Sequence, residues 1–513
     1  MEASISDPAK TPSMRLIVIL LVIASILPLW AASRHYTSLN DDSYITLTYA
    51  KNIANGKGFV FNHPPAIQGT TTPLFAIIVA GLSLIFPFVS IPGLAVFFTA
   101  FCWAGISWCI YFFRTSWELL EWQAVVIGTV LILAFSWIDF LGMEAYLFSF
   151  LLVLSLCLFH GQRYFLAGLA TGFLFLTRGE GVLVFLTLLI YQFFSRWTPG
   201  KGIDFQEIRP LLSIVAGFSL PVSIWFIYAH FIFGHFFPNT LSAKRAQGYF
   251  APDTALLRQL FKKWIPSWGS PFRIGGLAVL NPWWIGVLIG IASAFIQKRR
   301  WLPFFIWILL YLMGYAALQV PGYEWYQLPI VFVLQIFFAL GLIVCLQFLT
   351  AGKNRSRLKT GSAVCLLALT LLVLGNSTVR KIIDYPGYHR SDSYIKLCQW
   401  ISRNTRPEES VAFIEIGYLG YYTDNRIIDL AGLILPDIVP HIARGDFAWG
   451  FWRYQPDYFI YLPAFDWALA GITSNPELGE RYEPVAWVEG TESARFTIYK
   501  RKPDMAAGNP HDR

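Results

Sequence analysis

Asp41 and Asp42 stand side by side at the head of Asp41-Asp42-Ser43-Tyr44-Ile45, a few residues after a long apolar run. Neighbouring carboxylates raise one another's pKa, and a carboxylate of raised pKa is suited to take a proton from a hydroxyl. An acidic pair beside a membrane span is costly, which argues for a use. A solvated loop start, or a cap on a helix over 44–54, would employ the same residues. Glu144 is a third acid, either working with the pair or steadying the start of a helix over 145–160. Arg178 and Glu180 interrupt an apolar stretch. They form either an ion pair closing an interhelical turn or, through the planar guanidinium of Arg178, a phosphate contact. Lys244 and Arg245, just after Pro238-Asn239-Thr240, are further phosphate candidates or an ordinary basic pair on a loop. His235 reads either as a base, as a phosphate donor or as a structural interfacial histidine. Tyr323-Glu324-Trp325-Tyr326 is an aromatic belt or a wall on which a sugar stacks. Asp42 and Glu144 could also hold Mg²⁺ or Mn²⁺ through oxygen; the sequence commits to no cofactor.

The elements that must position these groups are membrane helices. Of 513 residues, 56% are hydrophobic and 14% charged, and the mean hydropathy is +0.52. Soluble domains carry about a quarter charged residues. Apolar runs lie near 14–32, 93–114, 122–140, 145–160, 163–177, 180–195, 210–233, 281–297, 301–319, 326–349 and 360–376, which predicts about eleven spans. The first reads as a retained anchor rather than a cleaved leader. The net charge of +8 comes from short basic clusters between spans, a topology signal and not a nucleic-acid stripe. Five of the six cysteines sit in apolar segments, so neither a disulfide framework nor a metal spacing is available.

The run 73–90, broken at Pro87, decides orientation. If it lies on the outer face without crossing, the clusters Arg196/Lys201/Arg209, Lys298-Arg299-Arg300 and Lys353/Arg355/Arg357/Lys359 all become cytoplasmic. The outer loops 33–92 and 234–280 and everything after 376 then share the opposite face. We therefore expect a transmembrane domain over 1–376 and a soluble extracytoplasmic domain over 377–513. In the latter, 391–405 predicts an amphipathic helix, and Val411–Ile414, Ile427–Leu430, Tyr458–Leu462 and Phe496–Tyr499 predict buried strands of a small α/β domain.

The segments Asp41-Asp42-Ser43-Tyr44-Ile45, Ala50-x-Asn52-x-x-x-Gly56-x-Gly58-Phe59-Val60-Phe61-Asn62 and Gly69-Thr70-Thr71-Thr72-Pro73-Leu74 together resemble the first outer loop of the GT-C fold glycosyltransferases, membrane enzymes that use polyprenyl phosphates. Gly142-Met143-Glu144, Thr177-Arg178-Gly179-Glu180-Gly181, Pro238-Asn239-Thr240 with Lys244, and Gly417-Tyr418-Leu419-Gly420-Tyr421-Tyr422-Thr423-Asp424 followed by Ile428-Asp429-Leu430-Ala431-Gly432-Leu433 agree with it. The pattern is most similar to the mycobacterial arabinofuranosyltransferase branch and its bacterial relatives, from which Thr70, Thr72 and Gly179 depart.

The resemblance implies an inverting glycosyltransferase of a bacterial inner membrane, with its site and tail on the extracytoplasmic side. It would move a sugar from a polyprenyl-phosphate donor to a cell-envelope glycan or lipid. It implies an aspartate base, Asp41 or Asp42, acting with Glu144. Substrate contacts are expected from Tyr44, Arg178, Glu180, His235, Asn239, Lys244 and Tyr323. The rival readings are a protein O-glycosyltransferase or oligosaccharyltransferase of similar fold, and a lipid-linked sugar flippase. The chain shows no repeated halves of the kind many transporters have.

Overall fold

The structure, a computed structural model, describes residues 13–36, 39–62, 65–196, 205–250, 255–265, 272–274, 277–279, 281–350, 357–388, 390–489 and 495–503. The chain begins with α1 (Ser13–Ala24) and α2 (Ile26–His35), which meet at Ser25. Next come α3 (Asp41–Ala54), α4 (Pro73–Ile85), α5 (Ile91–Phe112), α6 (Glu121–Ala134), α7 (Ala145–His160) and α8 (Tyr164–Thr177). They are followed by α9 (Gly181–Arg196), α10 (Phe205–Phe233) and α11 (Asn239–Phe250), then a hairpin of β1 (Phe272–Ile274) and β2 (Leu277–Val279). The last membrane helices are α12 (Pro282–Ile296), α13 (Leu302–Leu318), α14 (Glu324–Thr350) and α15 (Arg357–Asp384).

Among the described residues six helical stretches are long and apolar enough to cross a bilayer, and six shorter apolar helices accompany them. With α4 set aside eleven remain, in line with the expected polytopic α-helical membrane fold. Several are brief. The 14 residues of α6 rise about 21 Å against a hydrocarbon core of roughly 30 Å. Such helices cross by packing inside the bundle, and most of α6 and α7 is buried.

Contacts at the helix ends sort the bundle into two faces. The start of α5 lies beside the end of α2, since a Cβ on Gly93 would sit 3.9 Å from the Tyr36 ring. Gly142, in the link from α6 to α7, donates its N–H to the Thr99 hydroxyl on α5 at 2.9 Å. At the opposite face Arg300 pairs with Glu118 at 2.8 Å, the Trp117 and His160 rings lie 4.7 Å apart, and the Tyr191 hydroxyl reaches the Arg299 carbonyl. Thr72, just ahead of α4, touches Thr46 of α3 at 3.1 Å, so both ends of α4 lie on the face that carries α3, the arrangement expected of a helix that does not cross. Arg114, Arg163, Arg299 and Arg300 gather on the other face; the expected basic positions 201, 353 and 355 lie outside the described residues.

Beyond α15 the chain forms the expected small α/β domain. It holds α16 (Ser391–Asn404), β3 (Ser410–Phe413), α17 (Gly417–Tyr422), β4 (Arg426–Asp429), β5 (Tyr458–Tyr461), β6 (Tyr482–Glu489) and β7 (Arg495–Arg501). Strands run in the order β4-β3-β5-β7-β6, with β4, β3 and β5 parallel and the last two antiparallel. Helix α16 buries Tyr394, Leu397, Cys398 and Ile401, the stripe its spacing predicts. Strand β6 has no counterpart among the expected strands. It is an edge strand with a proline and a register shift at Pro484, a place where proline costs no ladder bond and blurs the alternating pattern.

Candidate active site

Helix α3 is capped by Asn40, whose side-chain oxygen accepts from the Ser43 N–H at 2.9 Å and from its hydroxyl at 2.7 Å. The cap expected of Asp42 is therefore taken by another residue, and both aspartates stand in the first turn with their carboxylates free for other partners. A helix advances about 100° per residue, so the two side chains leave it in different directions.

Asp41 turns to the tail. Its Oδ2 accepts from the Gly417 N–H at 3.0 Å and its Oδ1 from the Tyr418 N–H at 2.9 Å, the first amides of α17. Those amides lack partners inside their own helix. The approach needs glycine at 417, because a Cβ there would strike the Asp41 carbonyl. The Tyr418 hydroxyl closes the junction on the Leu39 carbonyl at 2.6 Å. Burial raises the Asp41 carboxyl to about 7, in spite of the two N–H donors. Tyr44 belongs to this junction too. Its hydroxyl meets that of Tyr422 at 3.1 Å, and its ring lies against Tyr418 and Tyr421.

Asp42 turns to a cavity of about 50 Å³ that it lines with Thr46, Thr70, Thr72, Glu144 and Lys244. Burial raises its carboxyl, and the Lys244 charge opposes that rise. The hydroxyls of Thr46, Thr70 and Thr72 form a triangle with edges of 3.0–3.1 Å. Leu433 of the tail covers the space. The covering turn is folded by Asp429, which accepts from the Ala431 and Ile434 N–H groups at 2.8 and 2.9 Å. Asn239 clamps it from α11, donating its amide to the Gly432 and Leu433 carbonyls at 2.8 and 3.0 Å.

Glu144, Thr71, Lys244 and Trp325 also border a second cavity of about 310 Å³, so the two adjoin. Glu144 makes no capping bond; its Oε1 accepts from Arg178 at 3.3 Å. Arg178, 3% exposed, also pairs with Glu180 at 2.9 Å, and Glu180 accepts from the Tyr315 hydroxyl. The guanidinium is thus held between two carboxylates. Removing one partner of such a buried set costs about 3–5 kcal/mol, because a charge is left without compensation.

Lys244 is differently placed. Its ammonium lies 4.8, 5.2 and 5.5 Å from the ring centres of Tyr323, Trp325 and Tyr326, and donates to the Tyr326 hydroxyl at 3.3 Å. Burial opposes its charge, yet Tyr326, Tyr323 and Asp42 outweigh burial and hold the pKa above the usual lysine value. Among the described residues no carboxylate forms a direct ion pair with it, so it is the cation at the junction of the cavities with donors to spare.

The structure thus brings Asp42, Glu144, Arg178, Glu180 and Lys244 to one place. Tyr323 stands behind it, stacked on Trp325 at 4.7 Å and donating to Gln247 at 2.8 Å. Asp41, Tyr44 and Asn239 hold the tail, and His235 borders neither cavity. Thr46, Gln68 and Tyr315 enter without having been singled out in the sequence, Thr70 and Thr72 had been noted only as departures from the resemblance, and Trp325 and Tyr326 only as belt or sugar wall. The run Thr70-Thr71-Thr72 ahead of an apolar helix was the available signal. Among the described residues no three His, Cys, Asp or Glu side chains are grouped to hold a metal ion. Two carboxylates with an ammonium in the same cavity are a poor donor set for Mg²⁺ or Mn²⁺, which prefer several anionic or neutral oxygens.

A family described as "Domain of unknown function (DUF8728)" matches residues 382–501, the tail alone. No curated protein matches the chain. Among solved structures, ArnT from Cupriavidus metallidurans bound to undecaprenyl phosphate is similar over 97% of this chain and 100% of that one, with a TM-score of 0.59 and 13% identity. ArnT in the apo state gives 0.56 over the same spans. The chain shares the membrane fold of ArnT. Agreement of this breadth at 13% identity concerns the course of the helices and the attached tail.

Proposed function

We propose that the chain is a glycosyltransferase that takes a sugar from a polyprenyl phosphate and passes it to a hydroxyl of a cell-envelope glycan or lipid. The observation that carries this reading is the convergence of Asp42, Glu144 and Lys244 where a small polar cavity joins a large one, in a fold shared with a protein that binds undecaprenyl phosphate.

Asp42 serves as base. It accepts the proton as the acceptor oxygen attacks the anomeric carbon, and the bond from that carbon to the phosphate oxygen breaks with its electron pair leaving on the phosphate. Attack opposite the leaving group inverts the anomeric carbon. Lys244 meets the phosphate, where its charge stabilises the negative charge that develops. Glu144, steadied by Arg178, Glu180 and Tyr315, orients the acceptor. The isoprenoid chain runs through the large cavity, whose rim carries the exposed Phe236 and Phe237. From there it enters an apolar groove of about 520 Å³ that shares Leu176 and Trp225 with that cavity. In this reading the arginine-rich face is the cytoplasmic one, as the positive-inside rule favours, and the site and tail belong to the extracytoplasmic face of the inner membrane.

The test is release of polyprenyl phosphate from a synthetic lipid-linked pentose or hexose by purified protein. Release that Asp42→Asn abolishes supports the reading; no release with any such donor, by protein that is folded, overturns it.

A further inference from the structure

On the site-bearing face, α15 meets the link between α6 and α7 in a cleft of about 530 Å³ lined by Ser136, Trp137, Asp139, Ser377, Arg380, Lys381, Asp384 and Tyr385. It shares no lining residue with the two cavities above. The link has Met143 and Glu144 in the small cavity and Ser136 to Asp139 in this cleft, so one short segment walls both.

Two features make the cleft unlike an ordinary charged surface. First, only 11% of the membrane-crossing stretch of α15 is buried, so the helix faces lipid and its end stands among headgroups. Second, its polarity is ordered with depth. Leu369, Val373, Ser377, Arg380 and Asp384 are spaced 4, 4, 3 and 4 residues apart and therefore share one helix face. From the membrane outward this face is apolar, apolar, hydroxyl, cation, anion. Leu369 and Val373 are 62% and 59% exposed. Each helical turn rises about 5.4 Å, so the carboxylate of Asp384 stands one turn above the guanidinium of Arg380.

That order is the complement of one molecule. A phospholipid rises from acyl chains through glycerol esters to a phosphate and, when zwitterionic with a primary amine, to an ammonium a few ångströms further out. Arg380 and Lys381 match the phosphate, and Asp384 with Asp139 matches the ammonium. Lys381 already reaches the Ser136 hydroxyl at 3.4 Å, and His35 of α2 ties this end of α15 in place through the Ile382 carbonyl at 2.9 Å. Two cations and two carboxylates leave the cleft neutral, which suits a zwitterion better than a purely anionic headgroup. We propose that this cleft is a binding site for a phospholipid with a phosphoethanolamine headgroup, seated beside the segment that carries Glu144.

The experiment is native mass spectrometry of the detergent-purified full chain, offered equimolar phosphatidylethanolamine, phosphatidylglycerol and phosphatidylcholine. The wild type should retain the ethanolamine lipid at least about tenfold over either competitor, a preference of the size one charge-assisted hydrogen bond supplies. Asp139→Asn with Asp384→Asn should erase discrimination against the glycerol lipid while phosphate binding persists. Arg380→Gln with Lys381→Gln should lose retention of all three. Elution as a single folded species controls for misfolding, and the reversed pair Arg380→Asp with Asp384→Arg should lose the ethanolamine preference even where it folds. Equal retention of the three lipids by the wild type, or unchanged preference in the two double variants, overturns the site and leaves an unselective lipid annulus.

Discussion

Asp41 and Asp42 are adjacent in the chain, identical in type, and set in surroundings that ask opposite things of them. Asp41 faces a protein surface. Both its oxygens are engaged by the amides of α17, and the residue is buried. Asp42 faces an open space bordered by a cation, a second acid and three hydroxyls. The lesson is that an acidic pair at a helix start divides naturally, one member joining domains and the other serving the cavity, because a single step along a helix turns the side chain by about 100°.

Four groups of experiments break or sharpen that contrast. The largest effect is expected for Asp42→Asn, which should lower turnover about 10²–10⁴-fold, the range general bases contribute, while the melting temperature stays near that of the wild type. If Asp41→Asn does this in a folded protein and Asp42→Asn does not, the two faces have been read the wrong way round.

Asp41→Ala should act on stability instead. It leaves two buried N–H groups without partners, at about 1–3 kcal/mol each, and should release the tail to limited proteolysis near residues 385–390. Gly417→Ala should weaken the same junction by a different route, through overpacking worth about 1–3 kcal/mol.

Lys244→Ala should raise KM for the lipid donor by about tenfold or more, with a smaller fall in kcat, as the loss of one charge-assisted contact would. Arg178→Gln, by contrast, should show first as lost stability, since the guanidinium holds two buried carboxylates together.

The smallest effect is on pH. Burial raises Asp41 to about 7 and Asp429, which folds the turn over the small cavity, to about 6. Both lie above the ordinary value near 4, so the folded chain holds protons that the unfolded chain has released. Their stabilisation is full below about pH 4 and is lost as pH rises through about 7. Unfolding temperatures should therefore fall between pH 5.5 and 8, by about 3 kcal/mol in stability, and Asp41→Asn should flatten the slope.

Much of the architecture was legible in the chain. Apolar runs mark the helices because lipid tolerates little else, and four short apolar strands with an amphipathic helix announced the α/β tail. The basic clusters that follow it, and not the run itself, predicted that α4 would not cross; the contact of Thr72 with Thr46 of α3 and of Gly93 with Tyr36 fits that reading. Strand β6 escaped because an edge strand needs neither strict alternation nor the absence of proline.

For the site, the sequence by itself determined the inventory: which carboxylates and cations stand at helix ends beside lipid, where a charge is too costly to be idle. Only the tertiary structure decided their employment. Tyr44 and Asn239, as polar and as well placed in the sequence as Lys244, hold the tail because their partners come from residues 422 and 432–433. Arg178 is neutralised by acids on either side of it, and Lys244, inside an aromatic box, has no direct ion pair among the described residues. The direction a side chain takes from its helix is local, but what waits in that direction is set by segments hundreds of residues away. That is why Asp41 and Asp42, indistinguishable as letters, part company in the fold.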